Sequence, residues 1–197
     1  MLESRFYKIL DEVTSIVIIN FLFLISSLFI VTFFPALFSM ISTVRNKFHK
    51  ESSEIVRFFF QELWKYRMSA NIIGIPAILI GYSFFYYINA FYAINTTWSL
   101  YLLPLSIMIF IAYLFFTMQA IFNIIHFDMP MKMWLKNALF MVFYKPQFTI
   151  ILSIYFVLIL LLTYWFQILL FLGTFSLLMY GLVYISLKKI STIKVNE

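Results

Sequence analysis

The chain has 197 residues, of which 64% are hydrophobic and only 11% charged, and its mean hydropathy is +0.98. A water-soluble domain draws about a quarter of its residues from Asp, Glu, Lys and Arg, so this chain cannot wet its own surface and lipid must solvate most of it. The absence of Cys excludes disulfides, thiolate metal sites and cysteine nucleophiles, while the net charge of +6 comes from basic residues flanking apolar runs, a topology signal and not a nucleic-acid footprint.

The opening residues MLESRFYKILDEV carry both signs of charge. The apolar run behind them is longer than a signal-peptide core and closes on no small-x-small cleavage site, so it is expected to persist as a first span over about 14–34. Pro35 then marks a kink or break before a short cytoplasmic extension. Next comes an amphipathic helix over about 53–69, with Ser53 as N-cap and Glu54 in its first turn. Ile55, Val56, Phe59, Phe60, Leu63 and Tyr66 recur on one face, and Glu54, Arg57, Gln61, Glu62 and Lys65 on the other.

Charged residues are absent from Met68 to Phe127, too long for one span of roughly 20 residues. The polar Asn95-Thr96-Thr97 with interfacial Trp98 divides it into spans at about 70–92 and 99–122. A second amphipathic helix follows over about 129–145, opened by Asp128 and Pro130. There Met131, Trp134, Leu135, Ala138, Leu139 and Val142 face away from Lys132, Lys136 and Lys145. The last charge-free run, Pro146 to Leu187, divides near residues 163–167 into spans at about 147–163 and 168–187.

Six Lys and Arg lie between residues 35 and 69 (Arg45, Lys47, Lys50, Arg57, Lys65, Arg67), three between 123 and 146, and three in the tail (Lys188, Lys189, Lys194). Two precede the first span (Arg5, Lys8), and the turns at 93–98 and 163–167 have none. Five spans place twelve on one side and two on the other, which predicts an outside N-terminus and a cytoplasmic C-terminus. The expected architecture is thus all-α: a single polytopic membrane domain of the plasma membrane with five transmembrane helices and two cytoplasmic amphipathic helices.

Catalytic chemistry is sparse. The five spans contain no Asp, Glu, Lys, Arg or His, which argues against ion-coupled transport. Their polar side chains (Asn20, Ser26, Ser27, Thr32, Asn89, Gln119, Ser153, Gln167, Thr174) fit helix–helix hydrogen bonds, with Asn20 and Gln119 standing out because a carboxamide in lipid demands a partner. His126 and Asp128 have no third ligand beside them in sequence, and a capped helix start explains them better than a metal. Gly74-Ile75-Pro76 and the Gly173/Gly181 pair suit close packing. Neither an enzyme nor a cofactor is expected.

Asn20-Phe21-Leu22-Phe23 leading to Val31-Thr32-Phe33-Phe34-Pro35-Ala36, Phe58-Phe59-Phe60 with Trp64-Lys65, and Phe127-Asp128-Met129-Pro130 through Leu135-Lys136-Asn137-Ala138 to Lys145-Pro146 together resemble the YesL family of bacterial membrane proteins. Phe34 stands where that pattern has Gly, and Phe29 where Pro is common. The resemblance implies a protein of mainly Gram-positive bacteria whose family is commonly encoded beside carbohydrate ABC importers. Importer permeases carry a Glu-Ala-Ala-x3-Gly-x9-Ile-x-Leu-Pro coupling loop. Ile73-Gly74-Ile75-Pro76 matches its tail, but Arg57, Phe58, Phe59 and Leu63 replace the coupling residues.

The functional expectation is a non-enzymatic accessory or assembly subunit of a carbohydrate ABC importer. A stand-alone facilitator or channel and a membrane-bound regulatory or lipid-organising protein are the alternatives. Arg57, Phe59, Phe60, Glu62, Leu63 and Lys65 are the expected contacts to permease subunits, and Lys132, Trp134, Lys136 and Lys145 those to membrane lipid.

Overall fold

The structure, a computed structural model, describes residues 2–49, 54–94, 97–127, 133, 140, 143, 144 and 146–194. The described residues form helices and no strands: α1 (Leu2–Ser26), α2 (Ile30–His49), α3 (Ile55–Ile94), α4 (Thr97–Phe127), α5 (Pro146–Trp165), α6 (Ile168–Leu172) and α7 (Thr174–Lys194). Among the described residues, four stretches are long and apolar enough to cross a bilayer: Ile9–Ser26, Ile55–Ala93, Tyr101–Phe127 and Pro146–Trp165. Large hydrophobic side chains such as Ile78, Leu79, Tyr86, Met108, Ile151 and Leu161 are exposed along them. Water would penalise such faces and hydrocarbon would not, so the chain is an all-helical membrane protein.

The helices fall into two compact units, residues 1–70 with 145–197 and residues 71–144. In the first, the opening apolar run departs from the single 14–34 span expected. The helix ends at Ser26 and a second begins at Ile30, packing back along the first. An ion pair between Lys47 of α2 and Asp11 of α1 closes this hairpin at its base. Hydroxyl competition for main-chain carbonyls accounts for the break. Ser27 Oγ donates to Leu24 O (3.1 Å), and the Thr32 hydroxyl is shared between Ser26 O (2.5 Å) and Phe29 O (3.0 Å). Pro35 makes no break. It lies inside α2, in its second turn, where its missing N–H costs the Val31 carbonyl one bond without ending the helix.

α7 packs against α1, α2 and α5. It starts beside the C-terminal part of α1, where Phe175 meets Phe23, and descends until Tyr180 and Tyr184 meet Phe48 at the end of α2. α5 runs antiparallel to α7: Thr163 hydrogen-bonds Thr174 (2.8 Å), and Tyr155 donates to Leu177 O (2.7 Å). Gly181 lets the Tyr155 ring lie against the α7 backbone, where a Cβ would collide with ring carbons. The core of this unit is built from Ile19, Phe23, Phe38, Met40, Ile41, Val44, Phe59, Leu182 and Val183.

In the second unit, the later part of α3 and α4 are joined side by side. Tyr113 donates to Ala77 O (2.7 Å), and its ring and that of Phe110 flank Phe84.

Candidate functional site

Two polar clusters lie inside the first unit. One is centred on Asn20, whose side chain is wholly buried. Its Nδ2 donates to Leu170 O (3.1 Å) and Phe171 O (2.7 Å), while Phe175 N–H and Ser176 N–H donate to its Oδ1 (3.1 and 3.3 Å). The carboxamide therefore uses both donors and two acceptor sites on one object, the break between α6 and α7. The first amides of any helix lack intrahelical partners, and here a side chain from another helix caps them. Ser176 Oγ adds bonds to Ile16 O (2.8 Å) and Gly173 O (3.2 Å). At Gly173 a Cβ would lie 3.0 Å from an Ile16 methyl carbon, so the small residue sets the close approach of the break to α1.

The second cluster joins α2 to the start of α3. Ser39 Oγ donates to Phe59 O, Ser42 Oγ to Glu62 Oε2 (2.5 Å) and Thr43 Oγ1 to Ser39 O (2.8 Å). Lys65 lies 3.7 Å from the other Glu62 oxygen. Along α3 the buried stripe is Phe59, Glu62, Tyr66 and Ala70, at helical spacing.

This stripe corrects the expected face of the helix. Glu62, placed on the outer face with Arg57 and Lys65, is turned inward, because the Ser42 hydroxyl and the Lys65 ammonium supply what a desolvated carboxylate requires. Phe59 is also inside, packed in the core and unable to contact a partner, and Leu63 is half-buried. Val56, Phe60 and Trp64 face outward with Arg57, Lys65 and Arg67, and the Arg67 guanidinium lies 5.2 Å from the Trp64 ring centre. The segment is not a separate interfacial helix. It is the start of α3, which continues unbroken to Ile94 with Pro76 inside.

Of the expected lipid contacts, Lys132, Trp134, Lys136 and Lys145 lie outside the described residues, as do Ser53 and Asp128. Gln119 Nε2 lies 3.5 Å from Asn123 Oδ1 one turn away, and Asn89 and Ser153 each donate to their own helix, to Phe85 O (2.8 Å) and Thr149 O (2.9 Å). At the end of α7, burial lowers the Lys189 pKa from 10.5 to about 8. The Ser39/Ser42/Thr43 cluster went unnoticed in the sequence. Its signal was there: three hydroxyls at i, i+3 and i+4 in a charge-free run, a polar stripe that needs a partner helix.

Residues 16–90 match the family model described as "Protein of unknown function, DUF624". The matched stretch takes in Asn20, Ser39, Ser42 and Glu62, the residues that tie α1 to the α6–α7 break and α2 to α3. No curated protein and no solved structure matches the chain.

Proposed function

We propose that this is a non-enzymatic, multi-pass plasma-membrane protein that acts as an accessory or assembly subunit beside a transporter. A carbohydrate ABC importer of a Gram-positive bacterium is the partner to which the resemblance to the YesL family points. The observation that supports the reading is the two-faced start of α3. Its inner stripe is fixed to α2 through Phe59 and Glu62, while Val56, Phe60 and Trp64 with Arg57, Lys65 and Arg67 form an exposed aromatic and cationic face. Aromatic side chains and Arg are the residues that most often anchor protein–protein contacts. The two buried clusters of the first unit, by contrast, are engaged within the fold: Asn20 serves a helix break and Ser42 a carboxylate.

Of the finer topology expected from the sequence, cytoplasmic basic loops and a cytoplasmic C-terminus remain part of this reading, as does α7 as a further membrane-embedded helix. An outside N-terminus does not, because the Asp11–Lys47 pair ties the charged part of α1 to the basic end of α2. Purification from native membranes in mild detergent, followed by mass spectrometry, tests the function. Permease subunits should be retained. Recovery of the isolated chain under several such conditions, together with solute flux in liposomes containing this protein alone, would support a facilitator instead.

A further inference from the structure

We propose that the α1–α2 hairpin enters the bilayer from the same side as the C-terminal end of α7, and that its tip, Ser27–Val31, is embedded among lipid acyl chains. The ends of the first unit carry the argument. The Asp11–Lys47 pair closes the hairpin base, and Phe48 at that base meets Tyr180 and Tyr184, just before Lys188 and Lys189. The charged part of α1, the basic end of α2 and the basic end of α7 therefore share one end of the unit. The chain is charge-free from Val13 to Val44 and again from Pro146 to Leu187, and the charged start of α3 bonds α2 at Ser39 and Ser42, away from the tip, so among the described residues the opposite end contains no charge. A segregation this complete is what the positive-inside rule produces when both termini are cytoplasmic.

The tip has the chemistry of a lipid-facing turn. Leu28, Phe29 and Val31 are 76%, 72% and 70% exposed, with no Lys, Arg, Trp or Tyr among them to anchor at headgroups. Internal hydrogen bonds lower the cost of placing a non-helical turn in hydrocarbon. Here Ser27 N–H donates to Phe23 O (2.8 Å), Ser27 Oγ to Leu24 O, Thr32 N–H to Phe29 O (3.0 Å), and Thr32 Oγ1 to Ser26 O and Phe29 O. Each charge-free arm, Val13–Ser26 and Ile30–Val44, is about 15 residues long, roughly 22 Å at 1.5 Å per residue. A hydrocarbon core is roughly 30 Å thick. With the charged base at the cytoplasmic headgroups, the tip stops inside the acyl region.

The chain has no Cys, so single-cysteine labelling needs no prior engineering. A membrane-impermeant maleimide is applied to Ser4→Cys, Asn196→Cys, Leu28→Cys and Phe29→Cys in intact spheroplasts and in lysed membranes, with SDS-unfolded protein giving the full signal for each. Ser4→Cys and Asn196→Cys should both be protected in spheroplasts and labelled after lysis, whereas Leu28→Cys and Phe29→Cys should react only in SDS. Labelling of one terminus in spheroplasts and the other only after lysis overturns the shared-side path. Labelling of both tip variants without SDS, in either preparation, overturns the acyl-chain placement.

Discussion

Replacing Asn20 by Leu removes a side chain that serves both ends of the α6–α7 break while keeping its branching and heavy-atom count. Four main-chain groups lose a partner: the carbonyls of Leu170 and Phe171 and the amides of Phe175 and Ser176. Side-chain hydrogen bonds inside membranes average about 0.6 kcal/mol and reach about 1.7. A buried group left unpaired costs about 1–3 kcal/mol. The two amides decide the sum, because they open a helix and have no intrahelical acceptor, whereas a carbonyl tolerates partial satisfaction better. A loss of about 2–4 kcal/mol follows. Asn89→Leu is the matched control, since Asn89 is exposed and bonds only its own helix at Phe85 O; it should shift stability by less than about 0.5 kcal/mol. SDS-titrated unfolding in mixed micelles, followed by circular dichroism, compares them. Equal losses for the two variants, or a loss below about 1 kcal/mol for Asn20→Leu, would refute the assignment of Asn20 as an in-trans helix cap.

Gly181→Ala should destabilise by about 1–2 kcal/mol, overpacking against the pinned Tyr155 ring outweighing a helix-propensity gain of about 1 kcal/mol, and adding Tyr155→Leu should recover part of the loss. Lys189 titrates at about 8 in the fold and near 10.5 when unfolded, so the unfolded chain holds more protons between those values. Stability should therefore rise with pH across that window, and Lys189→Met should remove the rise while stabilising the protein at pH 7. Arg57→Glu, with Lys65 left in place beside Glu62, should lower partner recovery from native membranes by roughly 1–3 kcal/mol of binding free energy. Insertion should be unaffected, because the Arg57–Glu54 pair (3.4 Å) is exposed and contributes little to stability.

The helical, membrane-embedded character was legible because charge-free runs longer than 30 residues have no soluble alternative, and the pause at Trp165–Gln167 coincides with a turn read from aromatic headgroup preference. The hairpin was not legible. A run from Val13 to Val44 without Gly looks like a span followed by a kink at its Pro, and the break falls instead at Ser26–Ser27, where hydroxyls compete with the helix for carbonyls. Asn20 was singled out because carboxamides in lipid need partners, but its partner lies 150 residues away and no local spacing encodes it. Glu62 was misplaced for a general reason. A helical wheel assigns a charge to the wet face, and only the partner helix, with Ser42 in register, reveals that the carboxylate is satisfied inside.

On the proposed reading, the outer face of the α3 start receives another membrane protein while its inner face is closed by α2. Photo-crosslinking amino acids placed at Trp64 and, separately, at Phe59 in native membranes test this most directly. Position 64 should give an intermolecular adduct containing a permease subunit, and position 59 only a product within the chain. Absence of any protein adduct from position 64, or the same adduct from position 59, would contradict it.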